Sequence, residues 1–489
     1  MFEIFKNLRP FQSTEYIFLV LISFFIPISW RIASYAMIGL FVSTILKGVF
    51  ENGFKINPLQ YKNKPVYIFF IAFWILYALS FLYSDNTAEA RIQIGKKLPF
   101  FLFPIFFLCS DLSYLTKDRV RTLMYCLVFG ILSLYAINLV WAIIDISFND
   151  DKITRLTNYH KFFKTSDKVF TYLHRAHFSL FTCLALVFSF VEFFDSKSHK
   201  IRIFNLVIIF IMIMSPFYIT SRAGILCEIL VLFTLWIWLT FIRKERKLGI
   251  ITGVLFVLML LMGYFAFPKT IDRFSKAINR VKDGKGDIRL TLRSSCRSAI
   301  RDNYLFGAGA GDRCDETLKA HITYREYIIS QIKPTEDADL MDFERNRETF
   351  LDSIDARFEN DYTKEVYEYA KQISEVYDCD YSSVKQYLAE YQRIDHTILH
   401  ELNAHNQFSD TIIAVGIIGL ILLLGFFIAP VYLWIKNKNF DIVFFSLLFI
   451  IAFNCLFESV FERQMGIMFF VFFYFLLFHA NFCQQTNDN

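Results

Sequence analysis

Charge is what this sequence has least of. Asp, Glu, Lys and Arg make up 20% of its 489 residues against 55% hydrophobic residues, and the mean hydropathy is +0.40. A water-soluble protein of this length could not hide that much apolar surface, so a soluble globular enzyme is excluded. Disorder, which needs low hydrophobicity and high charge, is excluded with it. The net charge of +5 is too small to argue for a nucleic-acid partner. No Cys or His spacing resembles a zinc site, and no internal repeat or low-complexity tract breaks the chain. The first apolar run lacks a small-residue cleavage site and reads as a retained helix rather than a signal peptide.

What the chain has instead is a series of apolar runs, each near the roughly 20 residues a helix needs to cross the hydrocarbon layer. Twelve are expected, near 14–30, 32–49, 66–83, 98–110, 120–143, 173–194, 203–220, 223–242, 248–267, 410–435, 440–457 and 464–481. The fourth is short and carries Pro99 and Pro104, so it is expected to be tilted, broken or extended by its flanks. The fold class is therefore an all-α polytopic membrane protein, divided into transmembrane helices over 1–267, a large, mainly helical outer loop over 268–409, and the last three helices over 410–489. Lys6 and Arg9 place the N-terminus in the cytoplasm, and the alternate loops that follow are all basic, which puts both ends inside. Two outer loops break that rule, with Arg91, Lys96 and Lys97 in one and Lys152, Arg155, Lys161, Lys164 and Lys168 in the next. They are either solvated surface or a place for something anionic.

The outer loop is electrically two-sided, basic over 269–313 and acidic over 312–362. Its acidic half reads as amphipathic helices, with Tyr324, Tyr327, Ile328, Phe343, Phe350, Leu351 and Ile354 at mostly three-to-four-residue intervals. Six cysteines lie in or beside apolar runs as packing residues. Of the outer three, Cys314 and Cys379 are the preferred disulfide pair if that side is oxidising. Asp337-Ala338-Asp339 and Asp378-Cys379-Asp380 have a spacing some divalent-metal sites use, but an acidic segment produces such pairs by chance and no metal is assigned.

Three features could carry chemistry. Asn403-Ala404-His405-Asn406-Gln407-Phe408 stands just before the tenth run with its Gly416 and Gly419, so His405 lies at a membrane surface. Imidazole titrates near neutrality and can take a proton from an attacking hydroxyl, or it can serve as an ordinary hydrogen-bonding residue. Thr220-Ser221-Arg222-Ala223-Gly224 joins two runs with almost no loop, leaving Arg222 either to snorkel or to clamp a phosphate with its planar fork. After the plausible N-cap Asp287, Arg289, Arg293, Arg297 and Arg301 recur every four residues along one helix side and lead into Phe306-Gly307-Ala308-Gly309-Ala310-Gly311-Asp312. That glycine turn could approach a ligand with its backbone, although it follows a helix and lacks the strand and lysine of a nucleotide loop. Smaller candidates are Tyr172 to His177 at the start of the sixth run and Glu458, Glu462 and Arg463 in the last outer turn, the latter read as an ion pair.

These residues resemble the O-antigen ligase and polymerase superfamily of bacterial envelope glycosyltransferases. Ser221-Arg222-Ala223 after a span, Arg289-Leu290 upstream of Gly307-Ala308-Gly309, and His405-Asn406 opening a span match the family pattern in order and topology. Arg293 departs from it, since members often carry an aromatic residue there, and the insert between Gly311 and Asn403 is longer than expected. The resemblance implies a glycan donor attached through diphosphate to a polyprenol lipid, at the periplasmic face of the bacterial inner membrane. The acceptor it implies is the lipid A core of lipopolysaccharide, or alternatively a second lipid-linked repeat unit, as in a polymerase. A single displacement would invert the anomeric centre without metal or cofactor. Arg222 and Arg289 would neutralise the leaving diphosphate, helped by Lys96, Lys97, Arg175 and Arg293, with Gly307, Gly309 and Asn406 shaping the site and His405 handling the hydroxyl proton. A flippase moving lipid-linked saccharides without making a bond is the rival from another class, and paired halves or mid-membrane charges would be its signature.

Overall fold

The computed structural model describes residues 9–50, 64–148, 175–219, 221–266, 275, 296–330 and 404–482. Every regular element among them is helical. In chain order these are α1 (Pro10–Phe25), α2 (Trp30–Phe50), α3 (Lys64–Ser80), α4 (Thr87–Lys96), α5 (Pro99–Cys109), α6 (Lys117–Phe148), α7 (Arg175–Asp195) and α8 (His199–Ile219). They continue with α9 (Arg222–Ile237, extended by a π turn at Trp238–Ile242), α10 (Arg246–Ala266), α11 (Arg313–Ser330), α12 (Gln407–Asn437), α13 (Ile442–Cys455) and α14 (Gln464–Phe482).

Local chemistry sets many of the boundaries. Pro10 and Pro99 occupy first-turn positions, where a missing N–H costs nothing. Asn86, Ser221, Asn406 and Asp441 cap α4, α9, α12 and α13, their side-chain oxygens accepting from the N–H groups of Glu89, Gly224, Ser409 and Phe444. Pro99 does not break the fourth expected span. α4 and α5 run on through Leu98 as one apolar unit, Thr87–Cys109, so the short run is extended by its flank.

By length and composition, eight helices among the described residues can cross a membrane: Trp30–Phe50, Thr87–Cys109, Lys117–Ile137, His177–Asp195, His199–Pro216, Arg222–Ile242, Gln407–Asn437 and Gln464–Phe482. The sequence reading has twelve. Three of the four runs not matched differ in length, since Pro10–Phe25, Pro65–Ser80 and Ile442–Cys455 are apolar but shorter than about 20 residues. The ninth expected run falls on α10. Among the described residues the protein is thus all-helical and multi-pass. The amphipathic helix expected around Tyr324 to Ile328 is the end of α11, whereas Phe343, Phe350, Leu351 and Ile354 lie outside the described residues, as does Cys379.

The abundance of phenylalanine explains how the bundle closes. α14 is buried along almost its whole length and acts as a central post. Phe70 of α3 stacks on Phe426 of α12 at 3.9 Å and meets Tyr474 and Phe475 of α14 at 4.7 and 4.8 Å. Phe100 of α5 and Phe461 meet edge-to-face at 5.4 Å. Offset and edge-on pairs of this kind contribute about 0.5–1.5 kcal/mol each beyond area burial. The opposite faces of α3 and α12 leave Ile68, Leu79, Ile421 and Ile428 exposed, as a lipid-facing surface requires.

Candidate active site

The site grows from a break in α12. Val415 (φ −137°) and Gly416 (φ +70°) leave helical geometry, freeing backbone groups in the middle of an apolar segment. Such groups must find partners. The glycine turn supplies them: Ala308 N–H donates to the Ile413 carbonyl at 2.7 Å, Gly309 N–H to the Ala414 carbonyl at 3.0 Å, and Ile417 N–H to the Tyr304 carbonyl at 2.8 Å. The approach is so close that a Cβ on Gly307 (φ +78°) would sit 2.3 Å from the Ala414 carbonyl carbon, and one on Gly416 2.1 Å from the Leu305 oxygen. The turn is locked from its other side too. Asp312 accepts from the N–H groups of Asp85 and Asn86, both at 2.8 Å, and Tyr83 Oη donates to the Phe306 carbonyl at 2.7 Å.

Directly beside this junction lies a buried chain of charges. Arg313, the first residue of α11, bridges Asp410 of α12 at 2.7 Å and Glu462 of the last turn at 3.1 Å. Lys97 of the α4–α5 unit reaches the other oxygen of Glu462 at 3.3 Å, accepts no exposure to solvent, and lies 4.5 Å over the Tyr77 ring. Asp410 also accepts from Ala404 N–H at 3.2 Å and from the Ser459 hydroxyl. Burial works against the charge on Arg313, but the Glu462 and Asp410 carboxylates overcome it and hold its pKa above the ordinary value. Burial alone would raise Glu462; Arg313 and then Lys97 hold it below its ordinary 4.5. A depressed carboxylate stabilises the fold above its unfolded pKa, and that contribution is lost as pH falls through the folded value.

His405 sits at the edge of this chain in a left-handed conformation (φ +44°). Its Nδ1 lies 3.4 Å from Glu458 Oε2, with side-chain exposures of 36% for His405 and 10% for Glu458. A carboxylate can only accept from Nδ1–H, which makes Nε2 the basic nitrogen and leaves the imidazole reachable while its orienting partner is shielded. Asn406 holds the strained residue in place, capping α12 and donating to the Leu456 carbonyl at 3.1 Å.

Arg222 is half-buried at the first position of α9, with Ser221 as its cap. Gly224 presses that end of α9 onto α7, where an added Cβ would lie 2.6 Å from the Ser179 side chain. His177 of the same helix reaches the Val460 carbonyl at 3.3 Å, so α7 ties the start of α9 to the Glu458–Glu462 turn that faces His405. Lys96 is partly exposed beside the buried Lys97. Arg175 opens α7. Arg289 and Arg293 lie outside the described residues, and the expected arginine helix is present from 296 to 302, with Arg297 and Arg301 on it.

Two sequence readings change. Glu462 forms ion pairs, but with Arg313 and Lys97 rather than with its neighbour Arg463, because the short 3-10 turn Val460–Glu462 directs its side chain inward. Lys97, expected toward substrate, is engaged inside that same network. Arg313 and Asp410 were not singled out by sequence. The available signal is a carboxylate in the first turn of a strongly apolar helix, which demands a cation nearby.

α11 adds a pH-sensitive contact. His321 is fully buried, and burial lowers its pKa from 6.5 to about 4. The fold holds the neutral imidazole, so stability is complete above about 6.5 and declines by roughly 3 kcal/mol as pH drops toward 4. Limited proteolysis at α11 is expected to accelerate over that window, and His321→Asn is expected to flatten the dependence.

Residues 207–339 match the family model for O-antigen ligase. The matched stretch takes in Arg222, Arg289, Gly307, Gly309 and Arg313, and ends before His405. No curated protein matches the chain.

Proposed function

Taking the O-antigen ligase superfamily as the chain's family, we propose that this membrane protein transfers a glycan from a polyprenyl-diphosphate carrier to an acceptor hydroxyl at the periplasmic face of the bacterial inner membrane. The preferred acceptor is the lipid A core. The observation that carries the reading is the His405–Glu458 pair, a solvent-reachable base with a shielded carboxylate orienting it, at the bundle end where Arg222 opens α9.

In this mechanism the acceptor hydroxyl attacks the anomeric carbon. The carbon–oxygen bond to the diphosphate breaks as the new glycosidic bond forms, and His405 Nε2 takes the hydroxyl proton. Arg222, joined by Arg289, neutralises the charge appearing on the lipid diphosphate, and a single displacement inverts the anomeric configuration. Glu458 acts on His405 rather than on substrate and is a positioning residue.

Purified protein in vesicles, given lipid-linked glycan and lipid A core, tests this directly. His405→Ala is expected to lower transfer about 100-fold, the usual scale for a general base. Arg222→Ala is expected to raise the donor concentration needed, with Arg222→Lys recovering part of the loss. Full activity in His405→Ala removes the proposed base. A glycan ladder formed without core acceptor assigns polymerisation instead, and a wild-type protein that moves donor without forming bonds assigns transport.

A further inference from the structure

At the end of α9 remote from Arg222, an apolar groove of about 580 Å³ opens between α9 and α10. Phe233 and Trp236 form one wall, and Ile250, Val254 and Val257 the other, with Gly253 as floor. The glycine keeps the groove open, since a Cβ there would come within 3.2 Å of Trp236 Nε1.

Four cations occupy the loop and helix start above it: Arg243, Lys244, Arg246 and Lys247. Arg243 is already neutralised. It pairs with Asp195 at 2.8 Å and Glu245 at 3.7 Å and lies 5.0 Å over the Trp238 ring. Lys244, Arg246 and Lys247 are exposed, and no ion pair engages them among the described residues. Lys247 precedes Ile250 by about one helical turn, so the charges sit roughly 5 Å above the mouth of the groove. Lys244 moreover adopts φ +61°. A left-handed backbone favours glycine, yet this position carries a lysine.

We propose that this groove binds an anionic phospholipid, with its phosphate on Lys244, Arg246 and Lys247 and one acyl chain along Trp236 and Gly253. Charge complementarity selects the occupant: a zwitterionic lipid would fill the apolar part equally well but brings no net negative charge to the three cations. Clusters of this kind beside helix ends attract anionic head groups. The site is independent of the transfer reaction, because Phe233 and Trp236 lie eleven and fourteen residues along α9 from Arg222, about 17–21 Å away.

The test is native mass spectrometry of the full chain purified in detergent and offered equal amounts of phosphatidylglycerol and phosphatidylcholine. Phosphatidylglycerol is expected to be retained about tenfold over phosphatidylcholine, and the exposed triple variant Lys244→Gln, Arg246→Gln, Lys247→Gln to lose that preference. Gly253→Leu, which fills the groove without touching the charges, is expected to lower retention of phosphatidylglycerol. Equal retention of both lipids by wild type, an unchanged preference in the triple variant, or unchanged retention in Gly253→Leu would each overturn the proposal.

Discussion

Arg313→Leu is expected to destabilise the protein by about 3–5 kcal/mol, measured as the drop in thermal midpoint in detergent. Removing one partner of a buried ion pair strands the charge left behind, and here one guanidinium serves two buried carboxylates, Asp410 and Glu462. The double variant Arg313→Leu, Asp410→Asn should recover much of the loss, because Glu462 keeps Lys97 as its counter-charge. Arg313→Lys should fall between, since an ammonium lacks the planar fork that spans both carboxylates. A single variant as stable as wild type would mean that the network does not hold α11 to α12.

Gly307→Ala is expected to cost about 3 kcal/mol. The left-handed backbone contributes about 1–2 kcal/mol for any residue with a Cβ. The new methyl also meets backbone, not a side chain that could swing away. Displacing the turn would leave the Ile413 and Ala414 carbonyls without their donors in an apolar setting, at about 1–3 kcal/mol per unsatisfied group. Gly95→Ala is the matched control. No atom lies within 4 Å of its added Cβ, and it sits in the helix α4, so the change should be neutral or stabilising by up to about 1 kcal/mol. Equal midpoints for the two variants would refute the idea that the glycine turn plugs the helix break.

How legible each feature was in the sequence depended on how local its cause is. The runs expected from 223 and 410 begin one and three residues after the helix starts at Arg222 and Gln407, whose caps Ser221 and Asn406 act locally, and the importance of Gly307 and Gly309 showed in their spacing. The break at Val415 and Gly416 was not visible. It is stable only because a turn more than a hundred positions away satisfies it. The same holds for charge. Lys97 read as a surface cation on an outer loop, yet its partner Glu462 lies 365 positions further on. Glu458 was noted, but its pairing with His405 needed the fold, as did the inward turn of Glu462. A helix of marginal length, such as α13, is also ambiguous from composition, since its apolar run continues past its hydrogen-bonded end at Cys455.

One arrangement constrains how such a chain can change over time. Arg313 at the start of α11 and Ala404 just before α12 are both fastened to Asp410, at 2.7 and 3.2 Å. Whatever stretch is spliced between them is therefore cinched at its root. For a flexible insert, each doubling of length adds only about 0.6 kcal/mol of closure entropy. Segments can be lost or acquired there wholesale while the junction at Asp410 keeps its shape, so diversification of the insert is uncoupled from preservation of the helices that bracket it.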